Sequence, residues 1–558
     1  MLSGNRILTI MMLLDRITIK LNWLLLRSEI MIQKMKNFFW KTPDELLRNI
    51  FEPFWKENND VCKRVLWVSM LTCIFNYFYL IVNGYGGPDA ICEGVWYFIG
   101  ENTAYRNARW CVPLITSFFG KNVVIPLVIV VFYCLAIAAS AFLIFKLLEI
   151  TNIGFQIFIV SSMVSFPVIT RQFAYLYMAL AYAVSFFMVV LAAWFLRRKT
   201  ILSFVCGTIC LLIMMGAFQS YIGAAAALVL ICFLLDVIKG RPIIEAIKDV
   251  GIYIFSGVLA GIFDLLIANV IINMRGIEAS GRVASVSLSE AIKYLGFSVP
   301  MSYRWFFMYF DDDVLSRSKL YIVLFIILAI LLVINIFLLV KNNKIVNSIC
   351  LIIGFFLLPL AMNVCVVIFP HNGIYDVMRY QYVLVIPLVF AMLEMLPKTV
   401  WTSLLHWAIY ANVFLLIMGY TISSNASAIC YKLAYESTHD QAVSMLSRVY
   451  ELEGYDMNTT PIVLGGQAIS YQDTYDQFGQ LFRYAVMESG PVFWGGEYGL
   501  TTCRYFYFLD YLGVNPQWLT NEQYHYVIKT QEYCEMPCWP EEGSVKMIDE
   551  YAVIKIVE

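Results

Sequence analysis

Asp89 and Glu93 lie four residues apart in Gly86-Gly87-Pro88-Asp89-Ala90-Ile91-Cys92-Glu93, and Arg106, Arg109 and Trp110 follow soon after. Pro88 suits the first position of a helix, which places Asp89 in its first turn and Glu93 one turn on along the same face. The helix dipole favours an ionised carboxylate there, and such a carboxylate can take the proton of an attacking hydroxyl as a general base. Asp89 and Glu93 are therefore the catalytic candidates, with Glu93 better suited to binding acceptor hydroxyls or a metal. An acid in a first turn also steadies any helix, so position alone does not separate the two roles. Arg106 and Arg109, at i and i+3, could clamp one phosphate, because guanidinium meets phosphate oxygens in pairs. Trp110 suits stacking on a sugar face or anchoring the loop at a membrane interface. Arg171 and Arg379 stand at the outer ends of two other apolar stretches and could join the same site; snorkelling at the interface accounts for each equally well. Carboxylate and guanidinium at the mouth of a membrane bundle would suit a substrate carried on a lipid phosphate.

The elements that must place these groups are membrane helices. Hydrophobic residues make up 60% of the 558 residues and charged residues 14%, with a mean hydropathy of +0.72. A soluble domain carries roughly a quarter of its residues charged. The net charge of -1 lacks the basic face that nucleic-acid binding needs. A span takes about 20 apolar residues, and about eleven stretches qualify, near 65–83, 123–145, 152–170, 175–196, 200–216, 218–238, 251–273, 319–340, 346–369, 380–397 and 400–421. Basic residues in short loops set the orientation. With the start of the chain inside, the runs at Lys146, Arg197-Arg198-Lys199, Lys239, Lys341 and Lys398 fall inside, and everything after Ser423 falls outside. Arg106, Arg109, Arg171 and Arg379 then fall outside against the usual bias, as phosphate ligands would. The pair 200–216 and 218–238, joined at Ala217, also fits one kinked or re-entrant hairpin.

Asp264 is the one acid near the middle of a span. It costs several kcal/mol there unless paired or facing water, so it fits an ion site in a transporter or a wet cavity in an enzyme. Gln219 and Tyr221, at the outer mouth between the two short stretches, could bond sugar hydroxyls, although a polar turn between helices uses the same residues. Asp311-Asp312-Asp313 resembles a metal-binding motif of some glycosyltransferases, but three adjacent acids are commonly solvated charge. No metal ligand set is assigned. Cys534 and Cys538 lack the further ligands a zinc site needs and fit a local disulfide or two free thiols. Gly465-Gly466 lacks the spacing of a nucleotide-binding loop.

Three regions follow. Residues 1–63 form a cytoplasmic or interfacial segment, whose first 30 residues lack the core and cleavage site of a signal peptide and suit an over-extended start or an amphipathic surface helix. Residues 64–422 hold the transmembrane domain. Residues 423–558 return to soluble composition, with a helix near 441–452, a strand at 462–464 and a closing hairpin at 545–548 and 552–557. The expected fold is an all-α polytopic membrane bundle with a small extracytoplasmic α/β C-terminal domain.

Four features of the chain carry a likeness to known proteins. They are Asp89 with the following Arg109-Trp110; Phe218-Gln219-Ser220-Tyr221; the tail from Ser424-Asn425 through the helix at 440–450; and the ending Met536-Pro537-Cys538-Trp539-Pro540-Glu541-Glu542-Gly543-Ser544-Val545-Lys546, leading to Val553-Ile554-Lys555-Ile556. In these the chain resembles the type II Gtr (GtrII-like) glucosyltransferases, bacterial enzymes that modify O-antigen and related surface polysaccharides. The likeness extends over residues 60–558. The family often shows Gly-Arg-Trp where this chain has Ala108-Arg109-Trp110, and paired acids where it has Pro88-Asp89-Ala90. The resemblance implies a GT-C type fold, a sugar on polyprenyl phosphate as donor, use on the outer face of the membrane, and Asp89 as base. The expected activity is transfer of a hexose, glucose by the family's founding example, to a cell-surface polysaccharide acceptor. No cofactor is assigned, and a divalent metal stays open. The other readings are a transporter or flippase of lipid-linked saccharides working through Asp264, and an assembly protein whose tail binds polysaccharide.

Overall fold

The computed structural model of the chain describes residues 43–84, 98–120, 123–280, 288–308, 317–368, 375–465, 481, 484–485 and 519–556. Asp89, Glu93, Asp311, Asp312 and Asp313 lie outside those residues. The chain divides into two compact units, Met1–Arg64 and Val65–Glu558.

The described residues are mostly helical. In chain order the helices are α1 (Pro43–Asn83), α2 (Glu101–Arg106), α3 (Val112–Ser117), α4 (Pro126–Leu148), α5 (Ile153–Ser165), α6 (Pro167–Phe173) and α7 (Leu176–Leu196). They continue as α8 (Ile201–Phe218), α9 (Ile222–Ile238), α10 (Ile243–Arg275), α11 (Leu288–Met308), α12 (Arg317–Lys341) and α13 (Ile345–Met362). The short α14 (Val364–Ile368) precedes α15 (Val385–Glu394) and the long α16 (Val400–Tyr450). Among the described residues, nine helices are long and apolar enough to cross a membrane. The chain is a multi-pass membrane protein built as a helical bundle.

Nine rather than eleven has two local causes. The first is that 201–238 forms one 38-residue helical run, broken only by a 3-10 turn at Gln219–Tyr221. Phe218, at φ -155° and ψ 93°, is a single extended residue that redirects the chain there. The break expected at Ala217 thus falls one residue later. The two arms fold back, because Arg197, just ahead of α8, meets Asp236 in the last turn of α9 at 2.6 Å. The second cause is that 380–394 is short. Its first part, Tyr380–Leu384, is 3-10 helix, which rises about 2.0 Å per residue instead of about 1.5 Å. Arg379 at one end is tied through Asp376 to Arg171 on α6. Glu394 at the other end accepts from Thr151 N, ahead of α5, at 2.9 Å. The segment therefore runs antiparallel along the whole of α5 and α6.

The bundle end where α8 begins is locked by charge. Asp236 pairs with both Arg197 and Arg241, and Asp249 with both Arg241 (2.6 Å) and Lys199 (2.7 Å). Each carboxylate answers two cations, so the loops joining α7, α8, α9 and α10 are fixed together.

Helix α16 is 51 residues long and runs unbroken through residue 423. Its polar residues there do not stop it. Thr421, Asn425 and Ser427 each return a side-chain hydrogen bond to the carbonyl four residues back, which satisfies them within the helix. Asn425 also donates to Phe75 O on α1 (2.9 Å), and Ser424 meets Thr170 on α6 (2.7 Å).

Beyond α16 lies a three-stranded sheet, order β1-β3-β2, with β1 (Ile462–Gly465), β2 (Val545–Ile548) and β3 (Tyr551–Lys555). Strand β3 pairs parallel with β1, Val553 opposite Val463, and antiparallel with β2. All of β3 is buried, as a central strand covered on both faces must be. Side chains alternate faces along a strand, so Ala552 and Ile554 pack on Ala442, Met445, Leu446 and Val449 of α16. Tyr551 and Val553 point the other way, into a core with Leu519, Tyr524, Val527 and Tyr533. The expected helix, strand and hairpin of the tail are all present. Cys534 and Cys538 are free thiols.

Candidate active site

Arg109 and Trp110 occupy a turn after α2 that is held at three points. Cys111 N donates to Gly216 O on α8 (2.8 Å), and Gln219 Nε2 donates to Ala108 O (2.8 Å). The indole Nε1 of Trp110 donates to Oδ1 of Asp264 on α10 (2.7 Å). Position 216 must be glycine for this: a Cβ there would stand 2.3 Å from Cε2 of Trp110, far inside van der Waals contact. Ala108 has φ +55°, the left-handed region that costs a residue with a Cβ roughly 1–2 kcal/mol. Ala108→Gly should relieve that strain and stabilise the protein by about 1 kcal/mol, read as a rise in the thermal midpoint in detergent.

The Arg109 guanidinium lies over the Phe218 ring at 5.5 Å. Its Nε is buried and has no hydrogen-bond partner among the described residues. Arg106 ends α2 with an exposed side chain, and its carbonyl accepts from Ser280 N (2.8 Å). The i, i+3 spacing does not continue as helix beyond Arg106, because the chain turns at Asn107 and Ala108.

Arg171 on α6 and Arg379 between two 3-10 turns converge on one carboxylate, Asp376. Arg379 Nη1 lies 2.8 Å from Asp376 Oδ1, and Arg171 pairs with the other oxygen. Arg379 also faces the Trp305 ring on α11 at 5.5 Å. The structure brings together these two arginines, which the sequence places at the ends of separate spans and allows to share a site, and adds the acid between them. Asp376 lies beside an apolar stretch, in a 3-10 turn with no periodic pattern, so nothing in the sequence marked it.

Gln172, also missed, is the hub beside this cluster. Its Nε2 donates to Tyr221 Oη and to Val377 O, both at 2.7 Å, and its Oε1 accepts from Tyr133. Its signal was available: a glutamine at the end of an apolar span must find partners. Tyr221 is fully buried and bonds Gln172 at the α8–α9 turn, as the polar turn between helices would have it. The chain of contacts runs from Arg109 over Phe218, edge-on to Tyr221 at 5.2 Å, through Gln172 to the backbone beside Asp376. Arg109, Arg171 and Arg379 thus belong to one end of the bundle. Trp110 is committed to Asp264 and Gly216, a wedge between helices that anchors its turn. Gln219 spends its amide N–H on Ala108 and retains its amide oxygen.

Among the described residues, no three His, Cys, Asp or Glu side chains gather as a metal site would require. The acid in mid-span has a donor, so Asp264 is not the unpaired charge on which the transporter reading leaned.

The arrangement offers guanidinium groups for an anion at one end of an apolar bundle. A family model described as glucosyl transferase GtrII matches residues 95–392. The match takes in Arg106, Arg109, Arg171 and Arg379 but starts after Asp89 and Glu93 and ends before the tail, so it is shorter than the likeness over 60–558. No curated protein and no solved structure matches the chain. With more than half of its length matched, this multi-pass membrane protein belongs to the glucosyl transferase GtrII family and is a glycosyltransferase.

Proposed function

We propose that this enzyme moves glucose from a polyprenyl-phosphate donor to a surface polysaccharide on the outer side of a bacterial cell membrane. The observation that supports the reading is the meeting of Arg171 and Arg379 on Asp376, at the bundle end that also presents Arg109. A lipid phosphate arriving from the bilayer finds there two guanidinium groups already gathered around an anion. Asp89 takes the proton of an acceptor hydroxyl whose oxygen bonds the anomeric carbon. The bond from that carbon to the phosphate oxygen breaks, and its electron pair leaves with the lipid phosphate. The arginines stabilise the growing charge on the leaving group. Glu93 and the amide oxygen of Gln219 bind acceptor hydroxyls, and Arg106 lies at the exposed edge of the site.

The same reading counts eleven crossings in a GT-C-like bundle, with α8 and α9 crossing separately and 380–394 crossing once. The lysine- and arginine-rich loops then face the cytoplasm. Residues 1–63 lie on that side, 64–422 form the transferase domain, and 423–558 form an outer domain that binds the polysaccharide.

The test is a choice of donors. Purified protein given polyprenyl-phosphate-glucose and cell-envelope glycan should release polyprenyl phosphate and label the glycan. UDP-glucose in its place should give neither. Labelling from UDP-glucose alone would overturn the donor assignment.

A further inference from the structure

Asp264 sits on α10 among apolar side chains, and what reaches it is an indole from a loop far away in sequence, at 2.7 Å. Nothing in ordinary helix packing calls for an acid there, since an apolar residue would cost less. The acid does one specific thing: it fixes the indole that wedges against Gly216. Trp110 is the residue next to Arg109, and the same short turn is bonded to Gly216 O and to the Gln219 amide. All three ties converge on residues 108–111, where the Arg109 side chain has a buried Nε with no partner among the described residues.

We propose that Asp264 is a positioning residue for Arg109. By pinning Trp110 it sets the turn that presents the Arg109 guanidinium against the α8–α9 joint. The inference rests on the reading of Arg109 as a ligand of the donor phosphate. An oxygen acceptor, and not a negative charge, is what the indole N–H requires. Asparagine should therefore replace Asp264, and leucine should not. An ion or proton site would show the reverse, with asparagine as damaging as leucine.

Two readouts decide it. Amide hydrogen exchange over 104–119 should be unchanged in Asp264→Asn and faster in Asp264→Leu, by about tenfold for one lost hydrogen bond. Trp110→Phe, which removes the donor, should match Asp264→Leu. The double variant should be no worse than either, because each loses the same bond. In transfer assays, the KM for polyprenyl-phosphate-glucose should rise about tenfold in Asp264→Leu and stay near wild type in Asp264→Asn, with thermal midpoints alike. Unchanged exchange in Asp264→Leu, equal damage from asparagine, or faster exchange with an unmoved KM would each overturn the proposal. If the wild-type enzyme does not use the lipid donor, the functional reading fails on its own, and the exchange data still decide whether Asp264 fixes the turn.

Discussion

Asp89→Asn should lower the turnover of glucosyl transfer by about 10²–10⁴-fold, the range expected for a positioned general base. The amide keeps the size and much of the polarity of the carboxylate but has no lone pair basic enough to accept a hydroxyl proton near neutral pH. Expression, detergent extraction and thermal midpoint should match wild type, since a single first-turn charge, the place the sequence pattern expects for Asp89, contributes about 0.3–1 kcal/mol to a helix. The measurement is polyprenyl phosphate released per minute at saturating donor. Glu93→Gln should act instead on the KM for acceptor. Turnover within a factor of two or so of wild type in Asp89→Asn, well under the general-base range, would take the base from position 89.

Asp376→Ala should be among the most destabilising single changes outside the apolar core. Arg171 and Arg379 are only 9% and 12% exposed, and the change removes the anion they share. Removing one member of a buried ion pair costs about 3–5 kcal/mol. Asp376 itself is 23% exposed, so water softens the loss and about 2–3 kcal/mol is the better expectation. A second effect separates a binding cluster from a purely structural one. If the arginines receive a lipid phosphate, polyprenyl phosphate should supply the missing negative charge. It should raise the thermal midpoint of Asp376→Ala more than that of wild type. A ligand at a hundred times its Kd adds about 2.7 kcal/mol, enough to recover most of the deficit. Equal shifts in the two proteins would assign the cluster to folding alone.

Much of this architecture could be read before any coordinates. Spans announce themselves by length and hydropathy because the bilayer imposes both. The joint near 217 was visible in Gln219 and Tyr221, and the tail strands in Ile462-Val463-Leu464 and the closing hairpin. The departures are just as physical. Residues 380–394 cross the length of α5 and α6 with few residues because part of the segment is 3-10 helix, and composition does not report rise per residue. Trp110 and Asp264 are 154 positions apart, and no local pattern says that a turn between helices will reach into the bundle for a buried acid. Tyr221 was legible as a polar residue of the α8–α9 turn, and its full burial was not, because its partner Gln172 comes from another helix. Arginines were legible as residues suited to phosphate; the acid that gathers two of them was not.

The sheet of the tail is glued to the last turns of α16 by Ala442, Met445, Leu446 and Val449, and the same rod contains the apolar stretch Val400–Leu433. No slack separates membrane anchor from platform: 51 residues at about 1.5 Å each make a single shaft of about 76 Å. Which way the platform faces is thus a matter of helical phase. One residue added to the shaft would swing it by about 100°, while seven would return it almost to its starting bearing, about 10 Å further out.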